Sequence, residues 1–354
     1  VSLGLWSIMT ALSGMARTYF QLLAARIGVG VGEAGGSPPA HAMISDYFPP
    51  EKRSTALSVY SAGIYLGVLV GFAMGGYLNQ HLGWRIAFFV VGIPGLLFSL
   101  IFRATVKEPA KGATDAGATK AGPAHSLREV VRLLAASPTF VWLSMATALL
   151  VFCIYGMINW APPFLSRLHG MNSRDIGTSL GLVLGVGGGL GSFAGGWLTD
   201  RFGKKDRTLY LRIPAYAILA SIVFEAGAIF SPNAAISVGC FGIAAALHSM
   251  YLGPAISVAH SLVPASMRAM ASAVLFFVLN LIGQGLGPMT VGKLSDLLAP
   301  VSGIQSLRWA MSVVILVSAA AAVLFFRTAA AYRDAPPSMV RQIPLTKEAS
   351  SEAR

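Results

Sequence analysis

Arg26 and Glu33 stand seven residues apart inside one apolar run, Arg-Ile-Gly-Val-Gly-Val-Gly-Glu. Seven residues make nearly two helical turns, so the two side chains share a face, roughly 10 Å apart along the axis. That is too far for a direct pair. Charges at bilayer depth are costly and turn toward a partner or a cavity. The forked, permanently charged guanidinium of Arg26 suits a carboxylate or a phosphate. The carboxyl of Glu33 suits loading and releasing a proton. Gly28, Gly30, Gly32, Gly35 and Gly36 thin the helix around them, and Pro38 and Pro39 interrupt its backbone bonding. The competing reading locks each charge in an ion pair with another helix.

A second set of polar residues is more dispersed. An offset of 215 residues lays His248 on Glu33, which predicts two titratable groups at equivalent depth, facing one another across a cavity. Tyr251 follows three residues later, on the same side. Tyr155 and Asn159 share one region of another apolar run, and Asn280 and Gln284 are four apart in a third. Such amides and phenols serve either as orienting groups in an apolar pocket or as bonds between helices. Glu225 and Lys293 fall near predicted outer ends and are expected to snorkel to water. Cys153 and Cys240 lack metal-ligand spacing and read as small core residues. There is no phosphate-binding loop with a Gly-x-x-x-x-Gly-Lys pattern, no His-Glu-x-x-His and no nucleophile–base set. The sequence therefore calls for no enzyme, no cofactor and no direct drive by ATP.

The elements that must hold these residues are apolar helices. Of 354 residues, 55% are hydrophobic and 11% charged, against about a quarter charged in soluble domains. About ten spans follow from the pattern: 1–16, 19–46, 54–78, 84–104, 138–165, 174–199, 207–230, 235–262, 269–298 and 309–331. The fold class is an all-α polytopic membrane protein. Residues 1–104 make a first helical bundle, 105–137 a linker, 138–332 a second bundle and 333–354 a tail. Within the linker, 127–136 reads as an amphipathic surface helix. The net charge of +12 does not mark a nucleic-acid binder, because Lys and Arg concentrate in alternate loops. By the positive-inside rule this places the linker and the C-terminus in the cytoplasm. Glycines four apart, Gly63 to Gly75 and Gly181 to Gly189, predict flat faces where helices pack closely.

The same 215-residue offset pairs Pro39 with Pro254, Pro49 with Pro264 and Arg53 with Arg268, so the two bundles read as parallel repeats. Between two spans lies Gly196-Trp-Leu-Thr-Asp200-Arg201-Phe-Gly203-Lys204-Lys. This stretch resembles the loop signature of major facilitator superfamily transporters. The run Arg26…Glu33-Ala…Ser-Pro resembles the fourth helix of the Spinster-like branch, and residues 262–296 resemble that branch as well. Anion:cation symporters share part of the pattern. The resemblance implies secondary active transport of a small organic or amphiphilic, lipid-like solute by alternating access. It further implies coupling to a proton or another ion, a monomer among membrane lipids, and a bacterial inner membrane. It casts Gly196, Asp200, Arg201, Gly203 and Lys204, with Arg53 and Arg268, as an inner gate paired through charges. The family carries the loop twice. Here the repeat offset places the other copy upstream of Val1, so the chain is expected to lack the first two of twelve helices and, alone, not to transport. A sensor on the same scaffold is the alternative from another class.

Overall fold

The computed structural model describes residues 1–36, 40, 43, 44, 47, 50–106, 126–203, 205–263 and 267–334, without the side chains of residues 34, 50–59, 61, 62 and 334. Lys204, Pro38, Pro39, Pro49, Pro264, most of the linker and most of the tail lie outside the described residues, as does the side chain of Arg53. Among the described residues there is no strand. The helices are α1 (Ser2–Met15), α2 (Tyr19–Ala34), α3 (Pro50–Leu82), α4 (Trp84–Thr105), α5 (Leu127–Ala135), α6 (Pro138–His169), α7 (Ser173–Phe202), α8 (Leu209–Phe230), α9 (Ala234–Ser249), α10 (Leu252–Ser261), α11 (Arg268–Val278), α12 (Gly287–Ser302) and α13 (Ser306–Asp334).

Six helical stretches among the described residues are long and apolar enough to cross a bilayer, the last being Arg268–Arg333 with 66 residues. At about 1.5 Å per residue that run measures about 100 Å, far beyond a hydrocarbon core of about 30 Å. It turns back at Gly303, whose φ of +52° only glycine adopts without strain. Gly83, with φ +81°, likewise separates α3 from α4. Between α11 and α12 the helix widens into a π stretch, Leu279–Leu286. Pro288 follows it, with no N–H to give and a ring that crowds the preceding turn. A wider turn absorbs that misfit.

By contact the chain divides into two compact units, Val1–Lys120 with Gly170–Val186, and Ala121–His169 with Gly187–Arg354. In the first, α1 packs on α4 and on α2 through small residues. A β-carbon on Gly92 would lie 2.7 Å from the Ala11 amide nitrogen, and one on Gly32 would lie 2.7 Å from that of Trp6. Thr18 caps α2 in a reciprocal box with Gln21.

The glycine pattern of α3 works differently from the expectation. Gly63, Gly67, Gly71 and Gly75 would meet nothing within 4 Å. The adjoining face packs instead: Gly76 meets Gly177, and Gly181 and Gly185 of α7 lie on Leu69 and Phe72. One face of α3 carries the glycines, and the next carries the contact.

In the second unit, α6, α8, α10, α11 and α13 build a core around Leu143, Leu150, Ile218 and Phe325, all without solvent exposure. The closest approach of α7 to α9 runs along Gly187, Gly191 and Gly195, against Gly242, Ala246 and Met250. Helix α5 is amphipathic, as its sequence predicts, and starts in a Ser126–Glu129 capping box. Its Leu127 and Val131 are exposed. Val130 and Leu134 are sealed into the protein core beside Phe140 and Met267.

Candidate functional site

Within the first unit, α1, α2, α3 and α4 surround a cavity of about 540 Å³. Arg26, Val29 and Glu33 reach it from α2, which is where a seven-residue spacing must put the two charges. Trp6, Ser7 and Thr10 line it from α1, Gly75 and Asn79 from α3, and Trp84, Phe88, Val91 and Gly92 from α4. Arg26 and Glu33 are both exposed, and neither has an ion-pair partner among the described residues. The hydroxyls of Ser7 and Thr10 donate to carbonyls one turn back, at 2.7 and 2.8 Å. Their protons are thus committed, and their remaining lone pairs accept. Asn79 donates its amide to Ser173 Oγ at 3.1 Å. The cavity therefore offers a cation, an anion, hydrogen-bond acceptors and aromatic walls.

Reading by sequence missed Trp6, Ser7, Thr10, Asn79 and Trp84. A usable signal existed in Ser7, Thr10 and Ser13, a small polar stripe at three-residue spacing along an otherwise apolar helix.

The remaining polar candidates lie in the second unit. Tyr155 is partly buried in α6, where Asn159 donates to its carbonyl at 2.9 Å. Nearby, Trp160 Nε1 donates to the Pro288 carbonyl at 2.8 Å and ties α6 to α12. Asn280 and Gln284 are exposed, both in the π stretch. Tyr251 is buried at the break between α9 and α10. His248 is only 3% exposed, and its Nε2 lies 2.7 Å from Glu225 Oε1. The expectation that Glu225 snorkels to water is overturned, because its exposure is 0%. The physical reason is a local set of donors: besides His248, Ser318 donates to Oε1 at 2.9 Å and Ser221 Oγ lies 3.0 Å away. A carboxyl so supplied gains little by reaching for water. Lys293, by contrast, is exposed.

The described residues of the loop after α7 make the following contacts. Asp200 accepts from the Tyr210 hydroxyl at 3.1 Å, and Arg201 lies over the Trp197 ring, 5.4 Å from its centroid. Gly203 packs under Tyr210, whereas a β-carbon on Gly196 would meet nothing within 4 Å. Arg268 is exposed. Neither Asp200, Arg201 nor Arg268 has an ion-pair partner among the described residues. The acid that organises the turn is Asp206. It accepts from the Thr208 hydroxyl at 2.7 Å and the Thr208 amide at 2.9 Å, and lies 3.8 Å from Arg212. The Thr208 donors, aided by Arg212 and Arg333, hold its carboxyl below the ordinary carboxylate range.

The family model described as Major Facilitator Superfamily matches residues 1–288. The chain belongs to this superfamily. Among its relatives, an MFS-type efflux pump of Mycolicibacterium smegmatis is 32% identical over 94% of this chain and 76% of its own length. A hexuronate transporter of Bacillus subtilis is 24% identical over 86% of this chain and 73% of its own. Among solved structures, an inward-facing, unoccupied bacterial homologue of the human lysosomal transporter Spinster superposes with a TM-score of 0.82. It is 29% identical, with 94% of this chain and 82% of that one covered. The chain is a polytopic membrane transport protein of the superfamily, Spinster-like, and not an enzyme.

Proposed function

We propose that the cavity around Arg26 and Glu33 is where a small amphiphilic, lipid-like organic solute binds during proton-coupled alternating access. The observation that carries this reading is the joint presence in one aromatic-walled cavity of two opposite charges that have no ion-pair partner among the described residues. Arg26 holds an acidic headgroup, Trp6, Trp84 and Phe88 hold the apolar part, and Glu33 exchanges the proton. The protein works as a monomer in an inner membrane, with the linker and tail on the cytoplasmic side. The distribution of Lys and Arg supports that orientation. The two bundles, 1–104 and 138–332, are the parts that rock.

A second reading, an organic anion symporter, draws on the same guanidinium. One relative is named for transport of a hexuronate, which is a carboxylate. Trp6 and Trp84 make the cavity its own reporter, so tryptophan fluorescence of the intact protein can follow ligand entry. Single-chain amphiphiles with a phosphate headgroup and with a neutral sugar headgroup are compared with a short sugar acid. In R26A the phosphate amphiphile is expected to bind about 10- to 100-fold more weakly, the weight of one charged hydrogen bond, and the neutral amphiphile unchanged. Equal weakening of both overturns the headgroup role. Tight, Arg26-dependent binding of the short acid alone decides for the symporter.

A further inference from the structure

The buried acid–base pair of the second unit is not explained by the cavity of the first. Glu225 sits in α8 at 0% exposure, His248 in α9 at 3%, and Nε2 to Oε1 is 2.7 Å. Three groups crowd Oε1: His248, Ser318 from α13 and Ser221. The other carboxyl oxygen, Oε2, is buried and has no hydrogen-bond partner among the described residues. Ser221 Oγ also lies 2.9 Å from Nε2, so acid, base and hydroxyl form a closed triangle. The Cys153 thiol from α6 donates to the Val314 carbonyl at 3.6 Å and lies within electrostatic reach of Glu225. Helix α10 also packs on α8, and brings no titratable side chain within hydrogen-bond distance of it among the described residues. Among the described residues, no Arg or Lys pairs with the carboxyl.

We propose that Glu225 and His248 form a second proton-binding site, which holds one shared proton and clamps α8, α9 and α13 while it does so. The electrostatics are those of a sealed pair. With one proton between them the two groups carry no net charge, whether the proton rests on Nε2 or on Oε1. Removing it leaves a net negative charge in a medium that cannot solvate it, and adding a second leaves a net positive one. The one-proton state is the closed state, and either other state favours separation of the helices and entry of water. A proton arriving bonds to the open oxygen Oε2, which yields a neutral carboxylic acid beside a charged imidazolium. A proton leaving breaks the N–H or O–H bond of the shared site and passes to water.

The test is infrared difference spectroscopy of the intact protein in lipid, between acidic and neutral buffer, on wild type, E33Q, E225Q and the double variant E225Q/H248Q. Two glutamines can bond to each other without leaving a buried charge, so the double variant keeps the site measurable if E225Q alone fails to fold. A carboxyl band that changes with pH in wild type, persists in E33Q and is lost in both Glu225 variants is the expected result. A matching loss of about one exchanged proton per molecule should appear by direct titration. Identical difference spectra in wild type and the double variant overturn the proposal. The measurement requires no flux, so it stands whether or not Glu33 couples transport.

Discussion

The placement of charge at single residues follows from what surrounds each one, and the two glutamates differ on this point. Glu33 has no hydrogen-bond donor beside it among the described residues and opens on a cavity. Glu225 has three polar groups at its Oε1 and is sealed. The Arg26–Glu33 geometry was legible because it depends only on helical periodicity within one segment. The Glu225–His248 contact was not, because it joins two helices, and which faces meet is set by packing. A local clue was available in Ser221 and Glu225, four apart on one helix face. Asp206 supplies the pH dependence at this scale. Its carboxyl is held below the ordinary carboxylate range by Thr208, so the contribution of the turn to stability is complete above that range. It is lost as pH falls through the lower, folded-state value. Hydrogen exchange at the Thr208 amide should therefore stay slow at neutral pH and accelerate only under strong acid. In D206N it should show no such acid step, and an identical acid step in D206N would remove Asp206 from the account.

Among the elements, close packing belongs to particular glycines rather than to every glycine stripe. The stripe Gly63–Gly75 was read from spacing alone, and spacing cannot tell a contact face from an open one. On α7 a β-carbon at Gly185 would lie 2.8 Å from Leu69 Cβ and 3.1 Å from the Tyr65 carbonyl, whereas at Gly67 it would meet nothing. G185A is expected to lower stability by about 1–3 kcal/mol through overpacking. G67A is expected to raise it by about 0.5–1 kcal/mol through helix propensity. Thermal unfolding of the two variants in the same detergent decides; equal shifts would contradict the assignment of faces. The spans themselves were legible nearly throughout, since twenty apolar residues admit few alternatives to a helix. The π stretch was hidden because it arises from the misfit at Pro288, a feature of backbone geometry that hydropathy does not register.

At the level of the whole molecule, membership of the superfamily and the likeness to a Spinster homologue settle the fold and the class of activity. In the proposed mechanism the working chemistry lies in the cavity. An amphiphile bound beside Arg26 brings negative charge to a pocket whose own anion is Glu33. Under the proposal, neutralising Glu33 with a proton makes such binding easier and releasing the proton makes leaving easier, which couples flux to a gradient. The most direct test is uptake of the phosphate amphiphile into proteoliposomes holding the intact protein, with and without a pH gradient, in wild type and E33Q. The account predicts that E33Q loses gradient-driven uptake while retaining substrate exchange at equal pH. Gradient-driven uptake by E33Q at the wild-type rate would contradict it.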